Sequence, residues 1–448
     1  MRSICASLSR PMGQRLFPAS RYIAGRPIHQ IASPFNLSQG ARSQSRLRLQ
    51  KPFDEQDLDL FRNICNQETS PADYPLAAEI QRKAVIYSGD VIRQIIRGTN
   101  ESSTSDLAGQ TGIERLMDEL HRCLSSGPGV FVIQGCVKDL KVIDRANKAF
   151  RAIIEAENEA AGGQIKGDHF AAAGHNERIW NSFQKHAETD PESFVEYYSN
   201  DVLALACEAW LGPGYQITAQ ANIVKPGGEA QRPHRDYHLG FQSEEIASRF
   251  PVKSQIASQL LTLQLAIAHS DMPIASGPTQ LLPYSQHFDY GYLAYRHRDF
   301  RKIFHTLMVQ LELKAGDAVF FNPALFHAAG DNTTQNIQRS ANLLQVSACW
   351  SKPMETVDRD QITRKTWDAV QKYVASVPGG QTASTTRALL QAICDGYSFP
   401  TNLDKDPPPA NGHCPPTQLN LVTKALRGSL SASDLAEQLS SYRDRRQA

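Results

Sequence analysis

Eight consecutive residues alternate without a break. Gln216, Thr218, Gln220 and Asn222 interleave with Ile217, Ala219, Ala221 and Ile223. Residues two apart on an extended chain share a face, so this stretch reads as a strand with one polar and one apolar side. Gln255–Ala268, Ala318–Phe321 and Ala341–Trp350 are further β-like runs, although Gln255–Ala268 also suits a helix. Gly/Pro turns separate these runs and no regular helices intervene, which favours a sandwich or barrel over a doubly wound sheet.

What flankes this region on its N-terminal side is helical in pattern. Asp57–Phe61, Leu76–Ile80 and Ile113–Cys123 carry apolar positions at three-to-four spacing. Ser125-Ser126-Gly127-Pro128-Gly129 breaks that period, Val130–Ile133 reads as a short buried strand, and Val142–Glu157 returns to helix. After Trp350 come turn sequences such as Val377-Pro378-Gly379-Gly380. A last stretch with Leu426, Leu430, Leu435 and Leu439 suggests one or two short amphipathic helices. Trp210 and Trp350 are expected in the core. The expected division is a leader at 1–50, a helical segment at 51–126, a β domain at 127–351 and a loop-rich, helical extension at 352–448.

Composition excludes some functions. With 47 basic and 46 acidic residues the net charge is +1, so there is no electrostatic footprint for nucleic acid. No apolar run is long enough for a transmembrane helix. Eight scattered cysteines without a C-x-x-C pair argue against a zinc ribbon or a disulfide framework. The first fifty residues hold eight arginines and many serines but no acid, the composition of a mitochondrial transit peptide. The alternative is a basic tail that targets nothing on a cytoplasmic protein.

The chemistry lies in Gln231-Arg232-Pro233-His234-Arg235-Asp236-Tyr237-His238. On an extended chain His234 and Asp236 face the same side. The tripeptide alone is weak, because a surface His–Asp pair arises often by chance. Downstream, Gly316-Asp317 opens a turn and strand with His327 near its end, and Arg339 begins the next run. Two imidazoles and one carboxylate on one face of an octahedron leave three positions open, the arrangement of non-haem Fe(II) oxygenases. Two of those positions suit a chelating 2-oxo acid and the third O₂. Arg339 is placed to grip the far carboxylate of 2-oxoglutarate through a bidentate, charge-assisted pair.

These pieces resemble a known family. His234-Arg235-Asp236, Gly277-Pro278-Thr279-Gln280-Leu281-Leu282-Pro283, Gly316-Asp317 and His327-Ala328-Ala329-Gly330-Asp331-Asn332 with Arg339 are similar to the phytanoyl-CoA dioxygenase family, over roughly half the chain. The resemblance implies a mainly β core, a double-stranded β-helix (jelly-roll or cupin-like barrel) with flanking α-helices. It implies Fe(II) on His234, Asp236 and His327, 2-oxoglutarate on Arg339, O₂, and hydroxylation or related oxidation of a small molecule with release of succinate and CO₂. The sequence departs at Pro283-Tyr284-Ser285-Gln286-His287, where the family has Pro-Gly-Ser-His. Halogenating relatives replace the carboxylate, so Asp236 favours hydroxylation.

Other residues stay open. Gln220 and Asn222 are candidate contacts for co-substrate or substrate, or buried amides satisfied by backbone. His287 and His305 are weaker candidates for third ligand, and His169 and His175 for a substrate pocket. His238 lies four after His234, the spacing of a zinc-protease helix, but Pro233 and Gly240 bracket the segment and no Glu follows His234. Two alternatives to hydroxylation are a non-catalytic jelly-roll binding protein and an Fe-dependent desaturase or epimerase. Substrate identity and oligomeric state are not encoded in any motif.

Overall fold

The computed structural model describes residues 52–98, 111–160, 162, 176–397, 402–408, 410, 414–428 and 430–447. The leader, His169 and His175 lie outside them. Residues 46–448 belong to one compact unit. Its strands are β1 (Glu79–Gln81), β2 (Ala84–Ser88), β3 (Val130–Gln134), β4 (Asn176–Ile179), β5 (Gln216–Val224), β6 (Thr262–Ala268), β7 (Gln280–Leu282), β8 (Val309–Gln310), β9 (Ala318–Phe321), β10 (Phe326–Ala328) and β11 (Arg339–Ser347).

Eight of them form a sheet in the order β1-β2-β3-β9-β6-β11-β5-β4, parallel only between β2 and β3. The other three form an antiparallel sheet, β10-β7-β8. β11 is an inner strand, pairing Arg339 with Val224 and Ser347 with Gln216 on one side, and Ala341 with Ala268 on the other.

Alternation assigns the faces. Ile217, Ala219, Leu263, Leu265, Phe320, Leu344 and Val346 turn to a helical layer that supplies Leu116, Phe150, Trp210, Trp367 and Leu389. Three of those helices begin at side-chain caps: Thr111 forms a capping box with Glu114, and Asn200 and Asp358 accept N–H bonds at Asp201–Leu211 and Arg359–Ser376. The opposite face packs Val132, Ala266, Ala268, Val319 and Phe321 against Leu281 of β7 and against Leu311 and Leu313. The C-terminal residues expected as an extension thus share the helix-side core, and Arg359 donates to the carbonyls of Ala392 and Ile217.

Several expectations are corrected. The two sheets pack face to face, but no closed barrel is formed among the described residues. Leu76–Ile80 is a turn entering β1, not a helix: Leu76, Ala77 and Ile80 pack against the helix-side core while the Ala78 N–H pairs with the Ile86 carbonyl of β2. Gln255–Ala268 divides: Val252–Ser258 is helix, and β6 starts only at Thr262. Short helices do intervene between β5 and β9, including Glu244–Ser248 and Arg298–Leu307. The polar face of β5 is buried, as both readings of Gln220 required: Thr218 and Gln220 are 0% and 1% exposed. Trp210 is buried and donates to Thr262 O, whereas Trp350 is 66% exposed at the turn after β11. No helix among the described residues is long and apolar enough to cross a membrane.

Candidate metal centre

His234 does not sit on a strand, as its spacing suggested, but in the segment after β5. A single antiparallel bridge holds it to His327: each backbone N–H donates to the other's carbonyl, at 2.9 and 3.1 Å. His327 is on β10, separated from β9 by the turn at Asn322–Leu325, so strand and ligand are two elements where the sequence suggested one. Gly316 opens β9 with φ +90°, and a Cβ there would meet the Val137 carbonyl. Asp236 N–H donates to Pro323 O at 3.0 Å, tying the ligand segment to the same turn.

These bonds bring the side chains together. One donor atom from each of His234, Asp236 and His327 lies within 4.8 Å of the others. The Asp236 oxygens stand 3.6 Å from His234 Nε2 and 3.4 Å from His327 Nε2. Both Nδ1 atoms lie 2.8 Å from a carbonyl two residues earlier, that of Arg232 or Leu325. A carbonyl only accepts, so Nδ1 carries the proton and each Nε2 lone pair faces the carboxylate. Two neutral imidazoles and an acid without thiolate form a donor set that fits Fe(II).

Electrostatics agree. Burial, then the neighbouring His327, lowers the pKa of His234 and favours its neutral form. Burial opposes ionisation of Asp236; positive charge at the position of His234 and His327, which a bound cation would supply while the imidazoles stay neutral, and the Gln264 amide outweigh it and hold the carboxyl well below the usual range. Gln264 on β6 donates from Nε2 to Asp236 Oδ2, and Tyr292 Oη donates to the Asp236 carbonyl at 3.1 Å.

The three groups line a cavity of about 600 Å³ between the sheets, together with Gln220, Asn222, Gln264 and Arg339. Arg339 is 7% exposed and donates to Ser276 O at 3.0 Å. No carboxylate among the described residues is paired with it, and burial pulls its pKa down to about 10. A buried cation facing a cavity without an acid of its own suits an anionic ligand. Gln220 takes a bond from Arg178 Nη1 at 3.4 Å, and Asn222 Oδ1 is buried without a partner.

Other histidines stay apart. His287 Nε2 lies 3.0 Å from Gly127 O, His305 is exposed on Arg298–Leu307, and His238 Nε2 lies 3.4 Å from Ser351 Oγ.

Two residues escaped the reading of the sequence. Gln264 breaks an apolar run in phase with Ala266 and Ala268, so alternation alone could have marked it. Arg235 gives no such signal. It is buried behind the ligands, where Nη2 donates to the Ser285 and Phe288 carbonyls and the guanidinium stacks on Tyr292 and Phe326.

Residues 126–341 match the family model of phytanoyl-CoA dioxygenase. They are a phytanoyl-CoA dioxygenase family domain. The dioxygenase trt7 of Aspergillus terreus is 29% identical over 120 residues, 27% of this chain and 36% of its own length. The chain thus spans about a third of the curated relative it matches. Similar solved structures include the non-haem, alpha-ketoglutarate-dependent epimerase SnoN from nogalamycin biosynthesis, at 17% identity and TM-score 0.36, covering 53% of this chain and 83% of that one. AviO1 from Streptomyces viridochromogenes is similar at 15% identity and TM-score 0.37, covering 52% and 95%. Within the phytanoyl-CoA dioxygenase domain, Tyr284 occupies the variant motif with φ +68° and its hydroxyl lies 2.8 Å from Thr69 Oγ1, while Ser285 Oγ accepts the Phe326 N–H at 2.8 Å. The variant motif therefore anchors β10, next to the ligand His327, from outside the cavity.

Proposed function

We propose that this chain is an Fe(II)- and 2-oxoglutarate-dependent dioxygenase that hydroxylates a small organic molecule. The observation that carries the reading is the convergence of His234 Nε2, His327 Nε2 and the Asp236 carboxylate in a cavity that also holds the buried, acid-free Arg339. In this reading the facing sheets are the two walls of a double-stranded β-helix, and residues 1–50 direct the protein to mitochondria.

His234, Asp236 and His327 would hold the iron. Bound there with 2-oxoglutarate and O₂, it supplies a two-electron oxidation in which one oxygen atom enters succinate, the other enters substrate, and CO₂ leaves. The chain's own groups prepare that chemistry. The Arg232 and Leu325 carbonyls fix the imidazole tautomers, and the Gln264 amide fixes the rotation of the carboxylate. Arg339 is the anchor for the distal carboxylate of 2-oxoglutarate. Apolar walls at Leu343, Phe321 and Met272 limit water around the site.

The test is consumption of 2-oxoglutarate and release of succinate by the full chain with Fe(II), with metal binding measured separately by titration. His234→Ala and Asp236→Ala should abolish both. Arg339→Ala should leave metal binding intact and weaken 2-oxoglutarate by on the order of 100-fold, since loss of one buried charge partner costs about 3 kcal/mol. Unchanged affinity for 2-oxoglutarate in that variant would remove Arg339 from its role. Product mass separates hydroxylation from desaturation or epimerisation.

A further inference from the structure

A second cavity, of about 460 Å³, abuts the one that holds the metal centre. Trp180, Phe241 and Met354 wall both, and Tyr237 and Lys352 wall the outer one alone. Met354 marks the junction. Its sulfur accepts from Tyr237 Oη at 2.9 Å on the outer side and faces Gln220 Nε2 at 3.8 Å on the inner side.

Two properties of this double chamber bear on what it takes. Trp180 and Phe241 are large apolar side chains, yet 39% and 57% of their surfaces meet solvent. Rings held in water at a cavity mouth gain most when a ligand covers them. Charge is the second property. Among the described residues, Asp236 is the one acid in the two walls, and it belongs to the metal centre. Arg339 faces the co-substrate and the Arg235 guanidinium is engaged by the Ser285 and Phe288 carbonyls, which leaves Arg178, Arg232 and Lys352 on the substrate side. Arg178 stacks over Trp180 at 5.1 Å and feels the charge of Glu355, a residue of neither wall. Arg232 and Lys352 remain as the cations of the rim. Arg232 lines the inner chamber and Lys352 the outer one, so each chamber offers one cation to an anionic group. A carrier with several phosphates calls for a denser cluster or a cradle of backbone N–H groups.

We propose that the joined chambers bind a compact, ring-bearing apolar molecule with a single carboxylate- or sulfonate-like group, its body against Trp180, Phe241 and Met354 and its anion at Arg232 or Lys352. The assignment of this site to substrate rests on the function proposed above, while the binding chemistry can be tested without turnover.

The probe is 8-anilinonaphthalene-1-sulfonate, a compact aromatic anion that fluoresces when it leaves water. Its neutral counterpart is N-phenyl-1-naphthylamine, the same ring system without the sulfonate. Both are titrated into the full chain loaded with Co(II). Phe241→Ala should weaken both dyes by about tenfold, as expected for loss of a stacked ring. Phe241 is exposed enough that its removal leaves the core untouched, and Trp180→Ala should act the same way. The double variant Arg232→Gln, Lys352→Gln should weaken the sulfonate by about fivefold and the neutral dye by less than about twofold, the scale of exposed ion pairs. Phe250→Ala removes an exposed ring outside both chambers and should change nothing. Equal loss of both dyes in the double variant would overturn the anion, and insensitivity to Phe241 and Trp180 would overturn the site. Displacement of the dye by coenzyme A at comparable concentration would overturn the single-anion class in favour of a phosphorylated carrier. Consumption of 2-oxoglutarate is scored independently. Dye binding with the expected pattern but no consumption sinks the proposed function alone, and consumption without that pattern sinks only this inference.

Discussion

Arg235 shows what one residue between two ligands can do. His234 and Asp236 face the cavity, so the intervening side chain points the other way, into protein. There its guanidinium satisfies two carbonyls and stacks on the ring of Phe326, the residue before His327. It therefore grips both segments that carry ligands. Gly291 makes room for it, because a Cβ at that position would fall on the guanidinium. Arg235→Met should remove two charge-assisted hydrogen bonds, at about 1.5–3 kcal/mol each, leaving the Ser285 and Phe288 carbonyls only the backbone N–H groups of Phe288 and Gly291. We expect metal affinity to fall by about 10- to 100-fold, the scale of lost outer-shell support. Gly291→Ala should shift affinity the same way while leaving every ligand and Arg235 itself in the sequence. A Co(II) titration of both variants decides this. Wild-type affinity in both would show that the arginine is only packing.

At the scale of elements, β11 joins the two sides of the protein. Its Arg339, Leu343 and Gln345 face the cavity, and Leu344 and Val346 face the helices. The C-terminal helices complete that second face. Ile362, Trp367, Val370, Leu389 and Ile393 are each fully buried there. Burying a large apolar side chain contributes about 1.5–3 kcal/mol, so five of them approach the whole stability of an ordinary domain, about 5–15 kcal/mol. Deletion of residues 352–448 should therefore give protein without a cooperative thermal transition, although every ligand remains. A truncated chain that melts cooperatively and binds metal would show that the extension is dispensable.

For the molecule as a whole, buried histidines set the acid limit. His186 lies 3.0 Å from Ser193 Oγ, and His269 sits between Tyr197 Oη and Asn147 Oδ1, both at 2.8 Å. Burial holds the pKa of each down to about 3, with the charge of His269 adding to the effect at His186. The unfolded imidazole takes its proton near about 6.5, so between 6.5 and 3 the unfolded state binds the extra protons and stability falls as pH falls. From about pH 7.5 to about pH 5.5 each histidine should cost about 1.4 kcal/mol. Urea midpoints across that range should drop less in His269→Gln than in wild type. Equal slopes in the two proteins would mean that His269 already carries a proton in the fold.

The sequence by itself determined the periodic parts and the chemistry of the centre. Alternation in Gln216–Ile223 marked β5, three-to-four spacing marked Gly112–Ser125 and Leu140–Ala160, and His234, Asp236, His327 and Arg339 were legible as residue types at telling intervals. Those signals are local, because period and side-chain chemistry are properties of short stretches. Tertiary structure decided the rest. Gln220 reads equally as a ligand contact or a satisfied amide until Arg178 and Met354 meet it, Trp350 looks like core until the chain turns outward, and Arg235 has no meaning until Ser285, Phe288 and Phe326 surround it. Whether a polar or apolar side chain meets water depends on partners tens to hundreds of residues away, and no local pattern carries that information.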